Sequence, residues 1–448
     1  MNLTITGMLV LLAVWVATHR SIDWSYGVFA VLALVLLSLP AVRSAAWLVA
    51  LDLLGALFVI SVGVARARGW AEISMSMPRV VTNVPRGTRH VLRPFARSAN
   101  LHLPHFGLGM RAALLSGVLL LTFGALFVSA DPAFASLAEQ FLVPDWDLSL
   151  ALSRVIVAVG TLVLTGSISL LSPEFGPSPR LVAPMQLGER IQIQLSAGEW
   201  KPALLLIDLL FASFVLVQIT VLFGGHDHVL NTAGLTYAEY ARQGFFQLIV
   251  VALLTLAVVA AAVRFSRVEV SDRRWMKILL GVLCLFTLVI LASALTRMNL
   301  YQETFGFTRL RLLVDVTIVW LGAVFVMLLV AGVRWEWNWL PRAVVLLTAL
   351  TLIGFNIYNP DARIGERNIS RYFRTGKIDV SYLASLSPDA VPQLIRLPEP
   401  LRSCALASMK TRLANESFWS WNLARQDARR LLVSPSIRPP VSAHSCTL

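Results

Sequence analysis

Charge is scarce in this chain. Asp, Glu, Lys and Arg make up 14% of its 448 residues, where soluble domains carry roughly 25%. Hydrophobic residues make up 57% and the mean hydropathy is +0.71. Together these exclude a soluble protein with a large core and leave an integral membrane protein. Cysteine is almost absent. Cys284, Cys404 and Cys446 are too few for a disulfide framework, and their spacing is not that of a metal site. No Walker motif, nucleophile elbow, H-E-x-x-H or G-x-G-x-x-G occurs in a usable context. No clustered set of acids and bases replaces them. The sequence therefore offers no catalytic, cofactor-binding or metal-binding residue, and the expectation is a protein that is not an enzyme.

What the chain does have is long apolar runs. A membrane span needs about 20 apolar residues, with roughly 17–25 tolerated. Ten candidates lie near 3–18, 24–40, 43–65, 111–129, 148–172, 201–223, 242–263, 276–296, 310–333 and 340–358. All read as helices, because isolated strands cannot satisfy their backbone in lipid. The first could pass for a signal peptide, but it lacks a basic n-region and a small-x-small cleavage site, so it reads as a span. The expected fold is all-α: a polytopic membrane region over 1–358 with about ten spans, and a small helical domain over 359–448.

The loops alternate in charge. Segment 66–111 holds Arg66, Arg68, Arg79, Arg86, Arg89, Arg93, Arg97 and Arg111 against a single acid, Glu72. Segment 130–147 holds Asp131, Glu139, Asp145 and Asp147 and no base. Arg264, Arg267, Arg273, Arg274 and Lys277 gather between the seventh and eighth spans. Placing 66–111 in the cytoplasm leaves the opposite side only Arg43, Arg242, Arg297, Arg309 and Arg311, which fits the positive-inside rule. An odd number of spans then separates the arginine-rich loop from residue 359, so the tail is expected outside the cell membrane. The tail is itself net basic, but long domains translocate largely regardless of charge. The arginines of 66–111 would also attract anionic lipid headgroups, at about 1 kcal/mol each. They lack the interleaved aromatics or fold of a nucleic-acid site, so no nucleic-acid partner is expected.

The tail carries helix signals. In "NPDA", Asn359 offers an N-cap, Pro360 the N1 position and Asp361 the first turn. Gly376 in "RTGK" offers a stop. Ser387-Pro388-Asp389 repeats the start signal, and Ser417 is placed to cap a last helix carrying Phe418, Trp421, Ala424, Ala428 and Leu431 on one face. Four short helices are expected.

The stretch "NPDARIGERNISRYFRTGKIDVSYLASLSPDAVPQL" is similar to the C-terminal part of bacterial membrane proteins catalogued as domain of unknown function 4173, a relative of domain 4153. "GLTYAEYARQGFFQLIVVALLTL" (234–256) and "LYQETFGFTRLRLL" (300–313) resemble two further parts of that pattern, in the same order. The resemblance covers roughly residues 110–432. It implies a polytopic cell-membrane protein with a soluble helical tail, and it supplies no catalytic residue.

Two sets of residues are candidates for function. The first is an external polar site: Tyr237, Glu239 and Arg242 before the seventh span, and Tyr301, Glu303 and Arg309 before the ninth. Both segments carry Tyr-x-Glu. A plainer reading of Thr236-x-x-Glu239 is a capping box, and a plainer reading of the arginines is snorkelling to headgroups. Arginines on the outer side otherwise need partners: lipid phosphate, Glu239, Glu303, Asp361 or Asp379. The second set is the charges inside spans: Asp52, Arg154, Asp208 and Asp315. Such groups are costly in lipid and point to function by default. Arg154 and Asp315 lie at matched depth, roughly 8–9 Å inside the outer ends of their spans at about 1.5 Å per residue, so they are expected to pair. Asp52 reads as nearer mid-membrane and Asp208 as on the cytoplasmic half. A row of carboxylates would suit a proton or cation path. Structural pairing is the plainer reading, and no Gly/Pro-broken half-helices accompany them. His226 and His228, flanking Asp227, make a weak metal signal on a loop. The expectation from all this is a non-catalytic membrane scaffold or sensing partner that binds an envelope protein through its tail. The alternative is a secondary transporter for an anionic or proton-coupled solute.

Overall fold

The computed structural model describes residues 24–64, 108–141, 195–223, 244–266, 269–414 and 422–432. Among them the only β-pairing is an isolated parallel bridge between Leu195 and Ser266, and the protein is all-α. The helices are α1 (Trp24–Ser38), α2 (Ala46–Val64), α3 (Leu108–Ala130), α4 (Pro132–Phe141), α5 (Ala197–Phe223), α6 (Phe245–Phe265), α7 (Arg273–Phe305), α8 (Arg309–Arg334) and α9 (Leu340–Tyr358), followed in the tail by α10 (Pro360–Thr375), α11 (Val380–Ala384), α12 (Val391–Leu394), α13 (Leu401–Ala414) and α14 (Leu423–Leu432). Six of them, α3 and α5 to α9, are long and apolar enough to cross a membrane. Shorter apolar stretches, Gly27–Ala41 and Ala46–Ile60, fall on α1 and α2. The expected spans at 3–18 and 148–172 lie outside the described residues. Each of the others coincides with an apolar helix. Rows of exposed side chains at helical spacing, such as Leu205, Leu209 and Leu216 or Val319, Val326, Val330 and Val333, would be a liability in water and suit contact with lipid. The chain is thus a multi-pass membrane protein.

It divides into two compact units. Unit one comprises Met1–Val84, Gln302–Trp320 and Asn338–Leu448, and unit two comprises Pro85–Tyr301 and Leu321–Trp337.

In unit one, α1, α2 and α9 share a core of Phe29, Leu36, Val59, Val345 and Ala349. Gly55 of α2 leaves room for the tip of the Leu352 side chain of α9, which a Cβ there would meet at 2.5 Å. The chain passes from α9 into α10 through a single residue, Asn359, in the left-handed conformation at φ 56. Pro360 takes N1, but Asn359 makes no side-chain capping bond. Gly376 ends α10, also left-handed, with its N–H on the Tyr372 carbonyl at 2.8 Å. Beyond it the expectation of four short helices needs correction. Five α-helices and a 3-10 turn, Pro388–Ala390, follow residue 359 among the described residues. Asn422 caps the last, accepting the Arg425 N–H at 3.3 Å, with α14 beginning at Leu423; Ser417, Phe418 and Trp421 lie outside the described residues. The tail helices bury Ile364, Leu386, Val391, Leu394 and Met409 in one cluster with Ala45, Leu48, Leu312 and Phe355. Their core is therefore shared with the ends of α2, α8 and α9, and the compact unit runs through the boundary read at 358/359.

In unit two, α3 and α5 pack through aromatic pairs: Phe123 with Phe211 at 5.2 Å, and Phe127 with Phe214, stacked, at 4.1 Å. Paired positions rise together along both helices, so the two run in the same direction. Glu199 reaches back over the start of α5: its carboxylate accepts the Ser196 N–H at 2.7 Å and the Ser196 hydroxyl at 2.9 Å. Nearby, Lys201 holds Asp272 at 2.6 Å.

Candidate functional site

A buried polar cluster of unit one joins the tail to the span ends. Asp361, in the first turn of α10, is 0% exposed. It takes both donors of Arg309 in a fork: Nε to Oδ1 at 2.9 Å and Nη2 to Oδ2 at 2.6 Å. Trp47 Nε1 from α2 donates to Oδ1 at 3.3 Å, and the Ser387 N–H donates to Oδ2 at 2.8 Å. Burial alone would raise the Asp361 carboxyl, but the Arg309 bonds and charge, with the Ser387 amide, hold it below the usual carboxylate value. The second Pro-Asp-Ala of the tail repeats the device. Asp389 Oδ2 accepts the Ser44 N–H and hydroxyl, each at 2.9 Å, and the Ser387 hydroxyl at 2.8 Å. Arg43 lies 3.8 Å from Oδ1 and donates through Nε to the Asn356 carbonyl at 2.8 Å. Ser387 thus bridges the two aspartates.

The other residues read as an external site are dispersed in role. Tyr237, Glu239 and Arg242 lie outside the described residues. Tyr301, in unit two, stacks on Phe245 at 6.1 Å. The Glu303 side chain is exposed, and it is the Glu303 backbone carbonyl that binds, accepting from Arg371 Nε at 3.0 Å. Asn368 of α10 clamps Phe307 from both sides, through the Phe307 N–H at 2.9 Å and its carbonyl at 2.8 Å. Asp379 caps α11, accepting the Tyr382 N–H at 2.9 Å.

Two of the charges read inside spans are hydrogen-bonded by neutral amides. Asn356 Nδ2 donates to Asp52 at 2.7 Å. Asp52 sits in the second turn of α2 and Asn356 in the last turn of α9. Asp315 is bonded by Gln302. Arg154, its expected partner, lies outside the described residues. Asp208 differs. It is 5% exposed, near the middle of α5, and neither carboxyl oxygen has a hydrogen-bond partner among the described residues.

A site that sequence reasoning missed lies in unit two. Asp131 and Arg297, read as loop residues, are 0% and 1% exposed. Arg297 Nη2 donates to Asp131 Oδ2 and, at 2.8 Å, to Gln218 Oε1, while Nη1 donates to the Ala130 carbonyl at 3.0 Å. Gln218 donates to Asp131 at 2.7 Å and accepts from Ser293 at 2.7 Å. The other Asp131 oxygen caps α4 through the Ala133 and Phe134 N–H groups. The Asp-Pro pair at 131–132 marks that cap in the sequence, but nothing local marks Arg297. Four of the five arginines expected on the outer side are held by the protein: Arg43 and Arg309 by tail aspartates, Arg297 by Asp131, and Arg311 by the Gly306 carbonyl. Arg242 is outside the described residues. Among these residues, no group of His, Cys, Asp and Glu is arranged to hold a metal.

No curated protein and no solved structure matches the chain. A family model does, and it corrects the resemblance to domain 4173 over about 110–432: the match is to the relative of that domain and starts close to the N-terminus. Matched over residues 6–397 by the family described as Domain of unknown function (DUF4153), the chain belongs to that family.

Proposed function

We propose that the protein is a non-catalytic scaffold or sensing partner of a bacterial cell membrane, whose tail lies outside and presents a fixed surface to another envelope protein. The observation that carries this is the pair of buried aspartates, Asp361 and Asp389, which tie the tail helices to the starts of α2 and α8. They make the tail an extension of the spans rather than a tethered module. The basic residues of 66–111 and 264–277 in the sequence support an external tail by the positive-inside rule, as does the disulfide at Cys404, which suits an oxidising compartment. Anionic headgroups at 66–111 complete this reading.

Asp208 favours a second reading, a transporter for an anionic or proton-coupled solute, because a buried carboxyl without a partner is expensive unless it is used. Two experiments separate the readings. Photocrosslinkers at the exposed positions Ser370, Phe373 and Arg396 are expected to trap one discrete envelope protein in native membranes. Proteoliposomes with an internal pH dye are expected to show the same proton leak for wild type and Asp208→Asn. No adduct from the tail, together with a proton flux that Asp208→Asn abolishes, would replace the scaffold by the transporter.

A further inference from the structure

The far ends of α7 and α8, both in unit two, meet around a tryptophan in an unusual conformation. Trp335 follows α8 at φ 59, in the left-handed region. The Glu336 N–H returns to the Ala331 carbonyl at 3.1 Å, the closing bond of a Schellman turn, in which this position is usually glycine. An L-residue with a large side chain is strained there, and strain at an observed outlier asks for a use. The turn itself does not need the indole. What the indole does is face two cations: the Arg273 guanidinium lies 4.9 Å from its ring centre and Lys277 Nζ lies 5.8 Å away. Lys277 is fixed further by donating to the Val333 carbonyl at 2.8 Å, at the negative end of α8.

Around this clamp, Arg273, Arg274 and Arg334 are exposed, and none has a carboxylate partner among the described residues. Of the nearby acids, Asp272 is occupied by Lys201, and neither Glu269 nor Glu336 forms a salt bridge among the described residues. Within one turn toward the span centre the surface becomes apolar and open: Trp275, Ile278, Val330 and Val333 are all exposed. Unpaired guanidinium donors above an exposed apolar strip, framed by tryptophans, match the cross-section of a lipid at headgroup level. We propose that this corner binds an anionic glycerophospholipid. Its phosphate sits on Arg273, Arg274 and Arg334, its acyl chains run along Ile278, Val330 and Val333, and Trp335 orients the cations. The proposal requires neither the scaffold reading nor an external tail.

The test uses the full chain in neutral detergent. Spin-labelled phosphatidylglycerol binding and the thermal midpoint are measured with phosphatidylglycerol, phosphatidylcholine or inorganic phosphate added. Phosphatidylglycerol is expected to bind and raise the midpoint, and the other two are not. Replacing Arg273, Arg274 and Arg334 together by alanine should weaken binding on the order of a hundredfold, taking about 1 kcal/mol for each. Trp335→Gly separates the ligand role from a structural one. Glycine suits the left-handed turn, so the midpoint without lipid should hold or rise, while the response to phosphatidylglycerol should shrink. Three results would overturn the proposal: phosphatidylcholine acting equally, phosphate alone reproducing the effect, or Trp335→Gly lowering the lipid-free midpoint with the lipid response intact.

Discussion

Replacing Arg309 by alanine is expected to loosen the C-terminal helices from the membrane region. The substitution leaves Asp361, which is fully buried, without its forked partner. Breaking a buried pair by removing one member costs about 3–5 kcal/mol. Arg309 itself is 30% exposed, so water can reach part of the vacated space and the lower end, about 3 kcal/mol, is expected. The effect should appear as a lower thermal midpoint in detergent and as earlier protease cutting in the α10–α13 region. Arg309→Lys should recover only part of it, because an ammonium cannot fork both oxygens. The same ion pair sets a pH dependence. The Asp361 carboxyl is held below its ordinary value in the fold, so its contribution is fully present above the unfolded value of about 3.9 and is lost as pH falls through the lower folded value. Acid should therefore release the tail helices in wild type and change little in Asp361→Asn. Unaltered protease resistance in Arg309→Ala would mean that the shared apolar core alone holds the tail.

Arg297→Ala should cost more, toward the upper end of the same range of about 3–5 kcal/mol. Here both partners are out of water, at 1% and 0% side-chain exposure, and Gln218 loses a donor along with Asp131. The measurement is folded yield and thermal midpoint. Arg297→Met with Asp131→Asn should recover stability over Arg297→Ala alone, since it removes the stranded charge. Gly244→Ala tests the same corner from the backbone. Gly244 sits at φ 85, and a Cβ there would fall 1.8 Å from the Ala130 oxygen and 3.0 Å from Arg297. The N-terminus of α6 would have to move away from the network. A mild effect from both Arg297→Ala and Gly244→Ala would show that the network is dispensable.

The spans were legible because a membrane imposes a local pattern: about twenty apolar residues in a row announce themselves whatever they pack against. Gly376 and Pro360 were legible for the same reason, since caps and stops are read within one helical turn. The cluster that joins the tail to the spans was only half legible. Asp361 could be proposed as a partner for an outer arginine, but which arginine depends on residues 52 positions apart. The Ser44–Asp389 and Asp52–Asn356 bonds span 345 and 304 positions, and no periodicity encodes them. Asn422 was passed over although it offers capping chemistry one residue before α14 begins. Arg297 misled because it was assigned by its place in the sequence to a loop, whereas α7 continues to Phe305 and carries it inside the helix.

The tail, pinned by Asp361 and Asp389, is expected outside the cell membrane. Cysteine labelling in intact cells with a membrane-impermeant maleimide tests that placement. Ser370, exposed on α10, and Ser98, in the arginine-rich loop, are each replaced by cysteine. Cys284 is buried and Cys404 is disulfide-bonded, and the unsubstituted chain supplies the background. Ser370→Cys should label in intact cells, and Ser98→Cys should label only after permeabilisation. Labelling at 98 in intact cells, with 370 reached only after permeabilisation, would contradict the account.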